Sequence, residues 1–246
     1  KNILNKIVNC ADIENKTILE IGPGTGNLTS YILKQRPKKI IVIEKDSSLA
    51  SHLKKTFKNQ IIIINKDILE INEALLSQEK FIVFGNLPYN ISTEILSKWI
   101  ISLKDNFWFD KLILMFQKEV AERIISKPNL SSYGRLSIIS NWKLHIEKII
   151  DIKPESFRPK PKVDSSLLIL TPKKNFFNLK SGKSLETVTR TFFNQRRKKI
   201  KRPFNQLFTD SEKIANKLNI SLDLRPQNLD FDKYYLIAKE FENLRD

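Results

Sequence analysis

Cysteine, histidine and long apolar stretches are all scarce in this chain, and each shortage removes a class of function. A single cysteine, Cys10, excludes an internal disulfide framework. With only His52 and His145 beside it, no zinc-ligand set can be assembled, and no metal is expected. No apolar run approaches the roughly 20 residues that a membrane helix requires; those present are short, Ile61–Ile64 among them. No signal peptide is recognisable from Lys1 onward. Acidic residues are outnumbered, 27 Asp and Glu against 43 Lys and Arg, which leaves a formal net charge of +16. Such an excess favours a polyanionic partner, nucleic acid first and an anionic membrane surface second. With 246 residues, 41% hydrophobic and 28% charged, the chain can bury a core and is not of the disordered class. A soluble, basic, cytoplasmic globular protein is expected.

What is present reads first as a parallel α/β sheet. Short β-branched runs alternate with helical stretches over the first 125 residues. Strands are predicted at Thr17–Ile21, Lys39–Ile43, Ile61–Asn65, Lys80–Phe84 and Leu112–Phe116. Helices are predicted from the glycine turn to about Gln35, at Ser47–Phe57, at Ser92–Leu103 and near Lys118–Ile125. Each strand is almost unbroken apolar sequence, as a sheet covered on both faces requires. Polar residues collect just beyond the carboxyl ends of the first four strands, the edge where open α/β sheets bind ligands. Beyond Ile125 the pattern changes. Lys143–Ile152 and Ser166–Thr171 read as an antiparallel pair of strands flanking a basic, proline-punctuated loop at Pro154–Asp164. Pro172–Lys183 reads as a linker, and the chain from Ser184 onward as helical.

Four features at that edge carry chemistry. Gly22, Gly24 and Gly26 form a G-x-G-x-G turn that lets backbone approach a ligand closely; its spacing is not that of the dinucleotide fingerprint G-x-G-x-x-G. Glu44, at the end of the second strand, can accept hydrogen bonds from two ribose hydroxyls; standing alone it reads equally as a solvated strand-end carboxylate. Asp67, after the third strand, can accept from an adenine amino group or cap the next helical turn. The most specific signal is Asn86–Leu87–Pro88–Tyr89. An adenine amine is a poor nucleophile because its lone pair is delocalised into the ring. The Asn86 side-chain oxygen and the Leu87 carbonyl can accept its two N–H bonds and favour a pyramidal nitrogen. Pro88 stiffens the turn, and Tyr89 offers a flat face for a base; the bland alternative is a strand-ending turn with a core tyrosine.

These residues resemble the S-adenosylmethionine-dependent N6-adenine methyltransferases, and over nearly the whole chain the KsgA family of small-subunit ribosomal RNA adenine dimethyltransferases. The resemblance rests on EIGPGTGNLT (20–29), VIEKD (42–46), GNLPYNIS (85–92), FRPKPKVDSS (157–166), FFNQRRKKIK (192–201) and LRPQNL (224–229). The glycine turn is generic to methyltransferases, and Asn-Leu-Pro-Tyr is shared with the erythromycin-resistance methyltransferases; the C-terminal stretches narrow the match. The resemblance implies a Rossmann-like methyltransferase sheet over residues 1–174, a linker at 175–182 and a small all-helical domain at 183–246. It implies S-adenosylmethionine as cofactor and S-adenosylhomocysteine as product. Gly22 and Gly24 would face the cofactor, Glu44 its ribose and Asp67 its adenine. Asn86 would lie between cofactor and target amine, and Tyr89 against the target base. In that family a Phe-Gly-Gln-x-Phe-Leu segment helps close over cofactor and substrate; the sequence here opens just after its place.

The implied substrate is 16S ribosomal RNA in the small subunit, met by a monomeric enzyme, with two adjacent adenines near the 3′ end as targets. Between Arg190 and Arg202 there are seven basic residues and no acid, so Arg196, Arg197, Lys198 and Lys199 are candidate phosphate contacts; the bland reading is a solvated helix face. Arg158 and Lys160, in the proline-punctuated loop, are a second set. Two rivals stay open on the sequence: a macrolide-resistance methyltransferase of 23S RNA, and an RNA-binding assembly or transcription factor in which methylation is secondary.

Overall fold

The five apolar runs become parallel neighbours in one sheet. In a computed structural model that describes residues 2–104, 106–156 and 162–244, β1 (Thr17–Ile21) pairs with β2 (Lys39–Ile43) and with β4 (Phe81–Asn86). β2 pairs with β3 (Ile62–Ile64), and β4 with β5 (Phe109–Gln117). β7 (Ser165–Pro172) joins β5 antiparallel, with β6 (Leu144–Ile152) outside it, for a seven-stranded order β3-β2-β1-β4-β5-β7-β6. The chain winds outward from β1 toward β3, then returns to the other side of β1 as β4. That reversal opens a crevice at the carboxyl ends of β1 and β4, the position at which doubly wound sheets take ligands.

Alternation along the strands sends one set of side chains to a common face. Ile18, Ile40, Val42, Ile82, Phe84, Ile113 and Met115 form that face of the core. They pack with Ile7 and Val8 of α1 (Asn2–Val8), Leu28 and Ile32 of α2 (Asn27–Lys34), and Leu53 and Phe57 of α3 (Ser47–Phe57). The helix α1 has no counterpart among the sequence predictions, since seven residues are too few for a periodic stripe. β4 extends two residues further than predicted, so Gly85 and Asn86 are strand residues held in register with Leu114 and Met115. The side chain of Asn86 is therefore aimed by the sheet and not by a loose turn.

The chain divides into two compact units. The first, residues 1–95, 104–121 and 146–172, carries the sheet. The second takes in residues 96–103 and 122–145 as well as 173–246, so the helical part is not drawn from the C-terminal third alone. Its helices are α6 (Arg135–Lys143), α7 (Gly182–Phe193), α8 (Lys201–Leu207), α9 (Ser211–Lys217) and α10 (Phe231–Asn243), with much of α4 (Ser92–Ser102) and of α5 (Lys118–Ile125). Its core is aromatic: Phe192 meets Phe204 and Tyr234 edge-on at 5.4 and 5.6 Å between centroids. Tyr133 meets Phe231 at 5.6 Å, and its hydroxyl donates to the Leu229 carbonyl.

Helix α6 was not foreseen either. Leu136, Ser137, Ile138, Ile139, Ser140, Trp142 and Lys143 are all buried in it, and a helix covered on nearly every side shows no amphipathic stripe. Because Lys143 ends this helix, β6 begins one residue later than expected. Trp99 and Trp142 belong to the core and Trp108 to its margin, against Phe81 and Phe109.

Candidate active site

Strand β1 runs out at Ile21 into a turn in which Gly22, Gly24 and Gly26 take φ of 66°, 58° and 82°, the left-handed region that favours glycine. Two hydrogen bonds fasten the turn: the Gly22 N–H donates to the Ile43 carbonyl at 3.0 Å, and the Gly26 N–H to the Pro23 carbonyl at 2.9 Å. A Cβ on Gly22 would lie 3.2 Å from the Asn86 carbonyl oxygen, so the turn after β1 sits directly against the end of β4. A Cβ on Gly24 would meet nothing within 4 Å, which leaves open space above the middle of the turn. Gly26 is tighter: a Cβ there would stand 2.7 Å from Phe57 Cζ and 2.9 Å from Leu53 Cδ2. Gly26→Ala combines that overlap with a left-handed backbone. It should lower the unfolding free energy by about 2 kcal/mol, read as a fall in thermal midpoint.

Glu44 is buried, so it is not the solvated strand-end carboxylate of the bland reading. Its Oε2 accepts from the Gly24 N–H at 3.2 Å and its Oε1 from the Asp46 N–H at 2.9 Å. The carboxylate thus braces the glycine turn while facing the crevice edge. Asn65, which no sequence signal singled out, holds Glu44 from behind: its Nδ2 donates to the Glu44 and Lys45 carbonyls at 2.8 and 3.1 Å. Asp67 caps the helical turn Ile68–Glu70 by accepting from the Leu69 N–H at 3.0 Å, and its other oxygen pairs with Lys45 Nζ at 2.7 Å. The capping reading of Asp67 therefore holds in the structure, with a charged partner beside it.

At the end of β4, Asn86 is exposed and its side chain has no hydrogen-bond partner among the described residues. Leu87 turns inward and is buried, which anchors the strand end. The Ile91 N–H closes the next turn onto the Pro88 carbonyl at 3.1 Å. Tyr89 is half-buried, with its hydroxyl 2.5 Å from the Ser165 Oγ. Beneath the glycine turn, Glu20 is fully enclosed in β1 and accepts a 2.7 Å bond from the Thr29 hydroxyl. Burial pushes its pKa up to about 7, and the Thr29 bond offsets part of that rise. Sequence reasoning passed over Glu20, although a carboxylate inside Thr-Ile-Leu-Glu-Ile was the available sign.

The site joins an open glycine turn, a buried carboxylate beside it and an unpartnered amide at the neighbouring strand end. The family described as ribosomal RNA adenine dimethylase matches residues 1–243. The chain belongs to that family. A relative from Pelagibacter ubique (strain HTCC1062), named ribosomal RNA small subunit methyltransferase A, is 61% identical over 245 residues, covering 100% of this chain and 94% of the relative. A dimethyladenosine transferase from Plasmodium falciparum superimposes with TM-score 0.79 at 28% identity, over 98% of this chain and 96% of that one. The 23S rRNA methyltransferase ErmE shares the fold, TM-score 0.69 at 20% identity, over 100% and 98% of the two chains. The ribosomal RNA adenine dimethylase described here is thus an S-adenosylmethionine-dependent methyltransferase, and the dimethylase reading holds over the macrolide-resistance rival.

The residues fit that cofactor: Gly24 borders open space, Gly22 brings the turn against the end of β4, and Glu44 and Asp67 supply carboxylates at two adjacent strand ends. Among the described residues no group of His, Cys, Asp and Glu gathers as a metal site. Of the dimethylase's basic candidates, Arg158 and Lys160 lie outside the described residues. The other four divide. Arg196 is half-buried, with Nη2 donating to the Leu130 carbonyl at 3.2 Å and Nε to Gln227 Oε1 at 3.4 Å. Lys199 pairs with Asp223 at 2.7 Å. Arg197 and Lys198 are exposed and have no side-chain partner among the described residues.

Proposed function

We propose that this dimethylase transfers methyl groups to N6 of two adjacent adenines near the 3′ end of 16S ribosomal RNA, acting as a cytoplasmic monomer on the small subunit. The observation that carries the reading is the open amide of Asn86, set by the β4–β5 register at the strand end that touches the glycine turn. S-adenosylmethionine, when bound, supplies a methyl group already activated by its sulfonium. The protein's part is then mostly positioning. Asn86 Oδ1 and the Leu87 carbonyl accept the two N–H bonds of the target amine, which draws the nitrogen lone pair out of ring conjugation. Tyr89 supports the face of the unstacked base. Gly22 and Gly24 face the cofactor and Glu44 its ribose; Asp67 takes the adenine amino group. The proton leaves after transfer, so no side chain is assigned as a base.

The small-subunit reading draws on the name and 61% identity of the Pelagibacter relative; the likeness to ErmE extends to the fold alone. The experiment that tests it supplies small ribosomal subunits lacking dimethyladenosine, labelled S-adenosylmethionine and the protein, and maps the label by nuclease digestion and mass spectrometry. Dimethyladenosine at two adjacent 3′-end adenines is expected. Label on large-subunit RNA alone would overturn the reading.

RNA affinity should rest on cations such as Arg197 and Lys198, which have no side-chain partner among the described residues. Arg197→Ala with Lys198→Ala should weaken RNA binding and shallow the log–log salt slope by about 1 for each charge removed. Arg196→Ala should lower the thermal midpoint as well, since it strips a donor from the Leu130 carbonyl. Filter binding across a salt series separates the two effects.

A further inference from the structure

Tyr89 is fixed at both ends by serines that come from different elements. Its carbonyl accepts from the Ser92 hydroxyl at 3.2 Å, at the start of α4, and its phenol meets the Ser165 hydroxyl at 2.5 Å, at the start of β7. Both serines are fully buried. We infer that Ser165 is a positioning residue for methyl transfer: it holds the ring of Tyr89 in the place from which it supports the target adenine. This rests on the reading of Tyr89 as the support for that base.

Topology explains why a residue so far along the chain reaches the site. β7 is antiparallel to β5, so its amino end, and not its carboxyl end, lies at the ligand-binding edge. Asn86 faces Met115 across the β4–β5 ladder; two residues on, Gln117 faces Ser165 across the β5–β7 ladder. Ser165 is therefore carried on the sheet to the same edge as the catalytic turn. Its place is not adjustable. The next residue, Ser166, donates to Asp151 Oδ1 at 2.6 Å, and Lys148 and Lys118 clasp the same carboxylate at 2.7 and 3.4 Å. These bonds hold the Asp151 pKa down at about 2, the Lys148 bond first and the Ser166 bond second.

A ring that only filled space would not need its hydroxyl. The phenol–serine bond is the one side-chain hydrogen bond Ser165 makes among the described residues. A tyrosine side chain turns about two torsions; fixing its carbonyl and its para oxygen holds the first, and with it the place of the ring, while the second turns about the axis through that oxygen. In-line transfer depends on that fixity, because a small misplacement of the acceptor is expensive in rate.

The test compares Ser165→Ala, Tyr89→Phe, their double variant and Tyr89→Ala, with cofactor affinity by calorimetry and thermal midpoint measured on each. Ser165→Ala and Tyr89→Phe should each lower kcat about tenfold, the worth of one well-placed hydrogen bond, with cofactor Kd unchanged. The double variant should be no slower than either single one, since both remove the same bond, and Ser165→Thr, which restores a hydroxyl, should recover most of the rate. Multiplicative losses in the double variant would overturn the inference. So would normal turnover in Ser165→Ala while Tyr89→Ala is inactive, which leaves Tyr89's own role standing. Normal turnover in Tyr89→Ala would overturn that role and the inference with it. If Ser165→Ala does not fold, Tyr89→Phe deletes the same bond from the half-buried side, and normal turnover there would overturn the inference.

Discussion

Asn86→Ala is expected to lower turnover by about a hundredfold or more, the usual loss when a group that acts on the reacting centre is removed, while cofactor affinity changes little. The side chain stands at the carboxyl end of β4 without a partner among the described residues, so its removal breaks no internal bond. The backbone beneath it is ladder-bonded to β5 at Met115 and will stay where it is. The loss should therefore fall on kcat and kcat/KM together, as for an interaction made only as the reaction proceeds. The Leu87 carbonyl remains in the variant, so part of the amine's orientation survives and the rate does not fall to that of the uncatalysed reaction. Single-turnover kinetics with excess enzyme, beside a cofactor titration, separates these quantities. Turnover within a few fold of wild type would remove Asn86 from the chemistry; a large loss of cofactor affinity would make it chiefly a cofactor ligand.

How far the site was legible follows from how local its parts are. Gly22, Glu44, Asp67 and Asn86 lie at or just beyond strand ends, and strands that are unbroken apolar runs announce their ends by the first polar residue. The bounds of β1, β2 and α3 were therefore readable to the residue. Ser165 was not, because its importance depends on which strand β7 pairs with and in which direction, and nothing in Val-Asp-Ser-Ser states that. The same limit hid α6, whose burial on nearly every side removes the stripe that reveals a helix. Charge was half-legible. The run from Arg190 to Arg202 was plain, but not that Arg196 and Lys199 turn to Leu130 and Asp223 while Arg197 and Lys198 have no side-chain partner among the described residues. Composition counts cations; only packing shows which are already engaged.

Glu20→Gln should raise the thermal midpoint at pH 8 and leave it nearly unchanged near pH 4.5. Glu20 lies in β1 with 2% of its surface exposed, and the Thr29 hydroxyl, 2.7 Å away, is the one side-chain donor to it among the described residues. Its carboxyl is raised from the ordinary 4.5 to about 7, chiefly by burial. Below pH 4.5 the group is protonated in both the folded and the unfolded chain and contributes nothing. Between pH 4.5 and 7 the unfolded chain gives up the proton while the folded chain keeps it. The folded state then binds more protons, and stability falls as pH rises. Above pH 7 both forms are ionised, and the full penalty of burying the charge is present, ~3 kcal/mol from the 4.5-to-7 rise. Glutamine keeps a carbonyl oxygen for Thr29 and carries no charge to bury, so it avoids the penalty while retaining the bond to α2 behind the glycine turn. The difference between variant and wild type should therefore grow across pH 4.5–8 to several degrees in the midpoint for a chain of this size. A difference that does not vary with pH would mean that Glu20 does not titrate in this range. A midpoint lower than wild type at pH 8 would mean that the ionised carboxylate itself holds the turn in place.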